Sequence, residues 1–194
     1  MAQALRHRGY HGIGLNELLA EARAPKGVLY HHFPGGKSEL AAAAIAWTLA
    51  QLLQSLDGLI ARRAPPLPAL RKWLAAAQEQ LQASGFERGC PLATVALEST
   101  GEDRLLRQTL ADAFAQLRGK LAQLLAADGR VPAARAQALA ALIVATYEGA
   151  LMQARVAGDA APMSDGVQAL LQLLEAQLSA DAPSCGSTSQ PDRP

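Results

Sequence analysis

Apolar residues return along this chain at intervals of three and four, the period of helices that bury one face. Over residues 38–63 the repeat runs through Leu40, Ile45, Trp47, Leu49, Leu52, Leu53, Leu56 and Ile60, with Ser38 as the expected cap. It resumes over 68–83 (Leu70, Trp73, Leu74, Leu81) and over 102–127 (Leu105, Leu106, Leu110, Phe114, Leu117, Leu121, Leu124, Leu125). Two further runs, 132–156 and 163–180, complete the series. Breakers fall between them: Pro65, Pro66 and Pro68, the loop Gly85–Gly89, Asp128-Gly129-Arg130, and the stretch from Gly158 to Pro162. Half of the residues are hydrophobic, with alanine and leucine dominant, which favours helices over sheets. The expected fold class is therefore all-α.

Residues 13–40 depart from this long-helix rhythm. Leu15, Leu18, Leu19 and Ala22 share one side of a short helix, with Asn16, Glu17 and Glu21 on the other. After Arg23 and Ala24, Pro25 is expected in the first turn of a second short helix, where its fixed φ fits and its missing N–H costs nothing. Leu29 and Phe33, four apart, face inward, which leaves Lys26, Gly27, Val28, Tyr30, His31 and His32 outward. A helix of barely two turns is held by packing, and one this narrow fits a DNA major groove. Lys26 reaches a phosphate as a flexible point charge, Tyr30 and His31 donate to phosphate oxygens, and Val28 meets a thymine methyl. His32 is expected to cap or pack. Gly27 costs about 1 kcal/mol against alanine inside a helix, a cost consistent with close approach to a partner. Pro34-Gly35-Gly36 ends this unit, and the first-turn N–H groups of the helix opened by Lys37, Ser38 and Glu39 offer a further phosphate site.

Composition narrows the classes. At 194 residues the chain is long enough for a small domain and a larger one. Net charge is only +1, yet residues 1–40 hold five Lys/Arg and all four histidines, a local footprint suited to reading a duplex with two copies. Cys90 and Cys185 do not make a disulfide framework, and adjacent His31 and His32 point in different directions, so neither a metal nor another cofactor is expected. A glycine-rich nucleotide loop, a GxSxG elbow and an HExxH pair are all missing from the sequence, so an enzyme is not expected. Arg62 and Arg63 close the longest apolar run, and Glu148 and Arg155 interrupt the later one, so neither a membrane span nor a signal peptide is expected and the location is expected to be cytoplasmic.

The run GYHGIGLNELLAEARAPKGVLYHHFPGGKSEL resembles the N-terminal DNA-binding domain of the tetracycline-repressor (TetR) family. The matching core is Lys26, Gly27, Tyr30, His32 and Phe33, followed by Lys37. The resemblance implies a three-helix helix-turn-helix domain over 1–44, with Lys26, Tyr30, His31 and Lys37 at phosphates and Pro25, Gly27 and Val28 nearest the bases. Three departures stand out. Ile13 and Gly14 occupy the usual hydroxyl cap, Arg23 replaces the turn glycine and adds a positive charge near the DNA, and Met1 enters in the middle of the family's first helix. The segment GCPLATVALES, Gly89 to Ser99, together with Phe33 to Lys37, resembles a subgroup that answers to drug-like or flavonoid-like aromatic compounds.

A sensing and dimerisation domain over 45–180 follows from that resemblance, with a disordered tail over 181–194. Aromatic residues make up 4% of the chain, and several fall in the middle helices. Trp47, Trp73, Phe86, Phe114 and Tyr147, with Leu92, Leu110 and Thr146, are the candidate lining of an apolar pocket for a small apolar or aromatic effector, Glu148 and Arg118 being the charged exceptions. Surplus apolar surface on the last two helices, represented by Leu139, Ile143, Leu151, Val167, Leu170 and Leu174, points to a homodimer over a palindromic operator. The expected mechanism is release of double-stranded DNA when effector displaces the long 38–63 helix. The alternative is a constitutive DNA-binding protein with a solid core.

Overall fold

A computed structural model describes residues 1–127 and 129–180. The described residues form helices alone, in the order α1 (Ala2–Arg8), α2 (Leu15–Glu21), α3 (Lys26–His32), α4 (Lys37–Ala61), α5 (Pro66–Ala83), α6 (Pro91–Glu98), α7 (Arg104–Leu125), α8 (Ala133–Ala157) and α9 (Ala161–Ala180). The fold is all-α, as its periodicity indicated. The expected tail over 181–194 lies outside the described residues.

Helix starts are set by proline more than by hydroxyl caps. Pro25, Pro65 and Pro132 stand at N-caps, while Pro66 and Pro91 occupy the first turns of α5 and α6. Pro25 thus precedes its helix by one position, and α5 begins at Pro66 because an N-terminal turn has no need of the N–H groups that proline lacks. Ser38 is not a cap. Gly36 takes that place with φ 66°, and Ser38 donates its hydroxyl back to the Gly35 carbonyl at 3.1 Å.

Helix ends repeat one device. At α2, the Arg23 and Ala24 N–H groups donate to the Ala20 and Leu19 carbonyls at 3.1 and 2.9 Å, a Schellman closure with Arg23 at φ 50°. The end of α4 is built the same way, with Arg63 at φ 50°. A non-glycine residue in this left-handed region costs about 1–2 kcal/mol, so the turn is closed at the expense of strain in Arg23.

The body is organised by α4, which packs along α7, while α7 in turn meets α8 and α8 meets α9. Leu56, Leu70, Leu74, Leu117, Leu121 and Ile143 are wholly or almost wholly buried in the core between them. Leu5, Ile13 and Leu18 extend this core into the first two helices, so the N-terminal unit is not a separate globule. By length and composition α4 is long and apolar enough to cross a membrane, with mean hydropathy 1.2, against the expectation that no such run exists. Part of that apolar surface is committed to the core through Ile45, Leu49 and Leu56, and Asp57 pairs with Lys120 of α7 at 2.7 Å.

The expected dimer residues sit inward. Ile143 and Leu174 have no exposed surface, Leu151 and Leu170 are buried, and Leu139 and Val167 are half-buried against the same core. They are consumed by the packing of α8 on its own neighbours and have little to offer a second chain. The outward apolar surface of these helices is carried instead by Leu142, Met152, Val156 and Leu173.

Candidate DNA-reading face and effector cavity

Seven residues make α3, and only Leu29 among them is buried. Lys26, Gly27, Val28, Tyr30, His31 and His32 are exposed, Val28 and Tyr30 each by about half, while Phe33 closes the helix half-buried. Nothing lies within 4 Å of the place a Gly27 side chain would occupy. The Tyr30 ring lies 3.3 Å from the corresponding position at Gly36, so the turn into α4 supports that ring from behind. His31 and His32 meet edge to face with ring centres 5.0 Å apart, which aims them differently.

Neighbouring charges shape this face. Arg8 pairs with Glu17 and Glu21, and the hydrogen bond it donates to Glu17 raises its already high pKa. These exposed pairs add little stability, but they cancel one cation against the two carboxylates of α2. Arg23 and Lys26 remain exposed at the turn and at the head of α3. Lys37 is placed differently from an open phosphate ligand. Its ammonium lies 4.5 Å above the Tyr10 ring, and burial lowers its pKa although Glu98 opposes the shift. The head of α4 is also occupied from within, since the Glu39 carboxylate accepts from the Gly35 N–H at 2.7 Å.

Among the described residues, two cavities of the body concern the expected pocket. The larger, of about 790 Å³, lies between α6, α7 and α8 and is lined by Ala93, Leu97, Phe114, Val144, Ala145 and Met152 among others. Exposure of Leu97 and Met152 at its rim opens it to solvent. The smaller, of about 380 Å³, lies between α4, α5 and α8 and includes Trp73 and Tyr147, whose rings are 5.1 Å apart. The Trp73 indole donates to the Ser55 hydroxyl at 3.1 Å. Cys90 and Leu151 line both cavities and form part of the wall between them.

Of the expected pocket residues, Phe114 reaches the larger cavity and Trp73 and Tyr147 the smaller. The others line neither. Leu92 and Leu110 are core, and Trp47 is 57% exposed on α4. Phe86 sits in the α5–α6 loop at φ 63°, and Thr146 points its methyl toward Gly166 of α9. Glu148 and Arg118 do line the larger cavity. Both Glu148 oxygens are buried without a hydrogen-bond partner, and burial lifts the carboxyl pKa to about 7, the adjoining Cys90 thiol drawing it partly back. Burial also pushes the Cys90 thiol well above its ordinary range, with Glu148 adding to the shift. That thiol is the opposite of an activated nucleophile.

Cavity-lining residues hold the N-terminal unit directly. The Glu98 carboxylate, at the end of α6, accepts from the backbone N–H groups of Tyr10 and His11. Arg155 of α8 donates to the carbonyls of Glu87 and His7 at 3.3 and 3.4 Å. The Gly89 N–H adds a bond to the Arg6 carbonyl, and Arg88 one to the His7 ring. None of these four was singled out from the sequence as a contact. Charged residues within otherwise apolar helices were the available signal; it marked Glu148 and Arg118 for the pocket and Arg155 only as a break in an apolar run.

A bare polar helix face beside a body hollow enough for a small molecule is the construction of a helix-turn-helix regulator. Residues 2–44 match the family of bacterial regulatory proteins named for tetR, and residues 66–180 match the LmrA/YxaF-like transcriptional regulator C-terminal domain. The chain belongs to the TetR family and is a DNA-binding transcriptional regulator. It is 32% identical over 185 residues to an HTH-type transcriptional regulator of Mycobacterium tuberculosis H37Rv, covering 91% of each chain. LmrA of Bacillus subtilis is 27% identical over 156 residues, with 80% of this chain and 82% of that one covered. Among solved structures, the regulatory protein TetR from Rhodobacter sphaeroides aligns with a TM-score of 0.77 at 27% identity, covering 88% of this chain and 93% of the other. Members of the family are not enzymes and are typically homodimers. Among the described residues no group of three or more His, Cys, Asp or Glu is placed to hold a metal ion.

Proposed function

We propose that the chain is a cytoplasmic repressor that binds a palindromic operator as a homodimer and releases it when a small apolar or aromatic molecule fills the cavity between α6, α7 and α8. Residues 1–44 act as the reader and 45–180 as the sensing and dimerisation domain. Arg23, Pro25, Lys26, Gly27, Val28, Tyr30 and His31 face the DNA, with Lys37 supporting Tyr10 at the edge. One observation carries the reading: Glu98 and Arg155 belong to the cavity wall and also hold the α1–α2 region. An effector that shifts α6 or α8 therefore moves the anchor of the reader, and its affinity and that of DNA oppose each other through one coupling free energy. A cavity of this size lies within the range of small-molecule sites, which disfavours a constitutive protein with a solid core. The second copy is assigned to the outward strip of Leu142, Val156 and Leu173.

The test is operator binding followed by fluorescence anisotropy during a screen of aromatic compounds. Phe114→Ala is expected to weaken effector binding by about 1–3 kcal/mol, the scale of one buried aromatic contact, while operator binding without effector is unchanged. Full retention of the response in a folded Phe114→Ala protein would remove this cavity from the mechanism.

A further inference from the structure

Glu148 is the one buried charge in the larger cavity that the coupling does not use. Both its oxygens are buried and unpartnered. An ionised carboxylate withdrawn from water without a partner is costly, and buried polar groups are otherwise nearly always bonded. The charged and titratable groups around it do not supply a compensating charge. Arg155, two turns along α8, is engaged by the Glu87 and His7 carbonyls, and Glu98 on α6 by the Tyr10 and His11 amides. Arg118 lines the α7 wall but forms no ion pair among the described residues. At the start of α6 the Cys90 thiol, held neutral by burial, lies close enough to draw the carboxyl pKa partly back but brings no compensating charge, and Tyr147 on the side of the smaller cavity is neutral as well. The remaining wall is largely apolar, with Ala93, Phe114, Val144, Ala145 and Met152.

We infer that the effector carries a protonated nitrogen on an apolar or aromatic body, and that this cation seats against the Glu148 carboxylate. The inference rests on the reading of this cavity as the effector site. A neutral hydroxyl would satisfy one oxygen and leave the negative charge uncompensated in apolar surroundings, whereas a carboxylate ligand would add a second like charge. Phe114, which lines the same cavity from α7, adds an aromatic side chain of the kind that attracts a cation. Because burial keeps the Glu148 carboxyl near pH 7, arrival of a cation favours the ionised form and releases a proton. Affinity for a ligand that stays protonated therefore rises as pH rises through that range.

Calorimetry on the full chain with 1-naphthylmethylamine, 1-naphthylmethanol and 1-naphthoate tests this. The amine is expected to bind roughly tenfold or more tightly than the alcohol at about pH 8, with the gap narrowing toward about pH 6 as Glu148 takes up its proton. Glu148→Gln, which keeps the shape, is expected to abolish both the preference and its pH dependence. Equal or tighter binding of the alcohol or the naphthoate, an unchanged preference in Glu148→Gln, or no binding of any of the three overturns the inference. Should the alcohol bind and release operator DNA, the responsive repressor stands and the cation falls. Should the amine bind with the predicted pH dependence while DNA is retained, the cation site stands and the repressor reading falls.

Discussion

The outward face of α3 and the cavity under α6 are built on opposite principles. The reading face is contiguous in sequence, exposed, and nearly free of internal partners, with Gly27 opening onto empty space. The cavity is assembled from three helices far apart in the chain, and it contains a buried carboxylate that the fold does not satisfy. A surface reader leaves its binding groups to be paired by the partner at almost no cost to the free protein. A buried sensor, by contrast, carries its unsatisfied group as a permanent destabilisation until something enters.

The sharpest test of that contrast is Glu148→Gln followed by thermal unfolding against pH. The folded carboxyl has a pKa of about 7 against an ordinary 4.5, so the folded chain holds this proton more tightly than the unfolded one. Below the ordinary value both states are protonated and nothing is lost. As pH rises toward 7 the unfolded chain ionises first and stability falls, reaching a full deficit of about 3 kcal/mol above it. Glu148→Gln should recover about that much near pH 8 and little near pH 4. Equal gains at both would show that the carboxylate is not strained.

Glu98→Ala probes the connection between the two regions. Loss of the acceptor for the Tyr10 and His11 amides should cost about 1–2 kcal/mol of stability and blunt operator release while effector binding persists. Glu98→Gln, which keeps an acceptor oxygen, should retain most of the response. A full response in the alanine variant would place the coupling elsewhere.

On the reading face the effects should be confined to DNA. Lys26→Ala is expected to leave the melting temperature unchanged and to reduce the slope of log affinity against log salt by about 0.9 per subunit, one phosphate contact. An unchanged slope would remove Lys26 from the backbone contacts. Gly27→Ala is expected to stabilise α3 by about 1 kcal/mol while weakening the operator complex, as seen by comparing unfolding with anisotropy. A gain in both would mean that no close approach occurs there.

Most of the helices and the reader's inward and outward sides were legible because a period and a few punctuating residues specify them, whereas α6 (Pro91–Glu98) has too few turns to declare itself. The absence of a turn glycine at Arg23 was legible too, and of the two outcomes it left open, another turn or a left-handed residue, the backbone takes the second. Less could be read where the outcome depended on which buried side faced a void. Leu92, Leu110 and Phe114 all carry the apolar signature of a body helix, yet only Phe114 reaches the hollow, because packing of α6 against α7 closes over the others. Trp47 was mistaken for lining because bulk suggests burial, and α4 turns it outward. The bonds from Glu98 and Arg155 span 87 and 148 residues, and no local spacing encodes a pair so distant.

Two glycines show how unevenly this molecule is free to evolve. At position 9 an added side chain would run into the Glu98 carboxylate, so nearly any codon change there damages the link between sensor and reader. At position 27 a side chain meets nothing of the protein, and most single-base changes would spare the fold and alter only what the helix tolerates in the groove. After a gene duplication, the two copies could diverge in operator choice through position 27 while position 9 keeps reader and sensor joined in both.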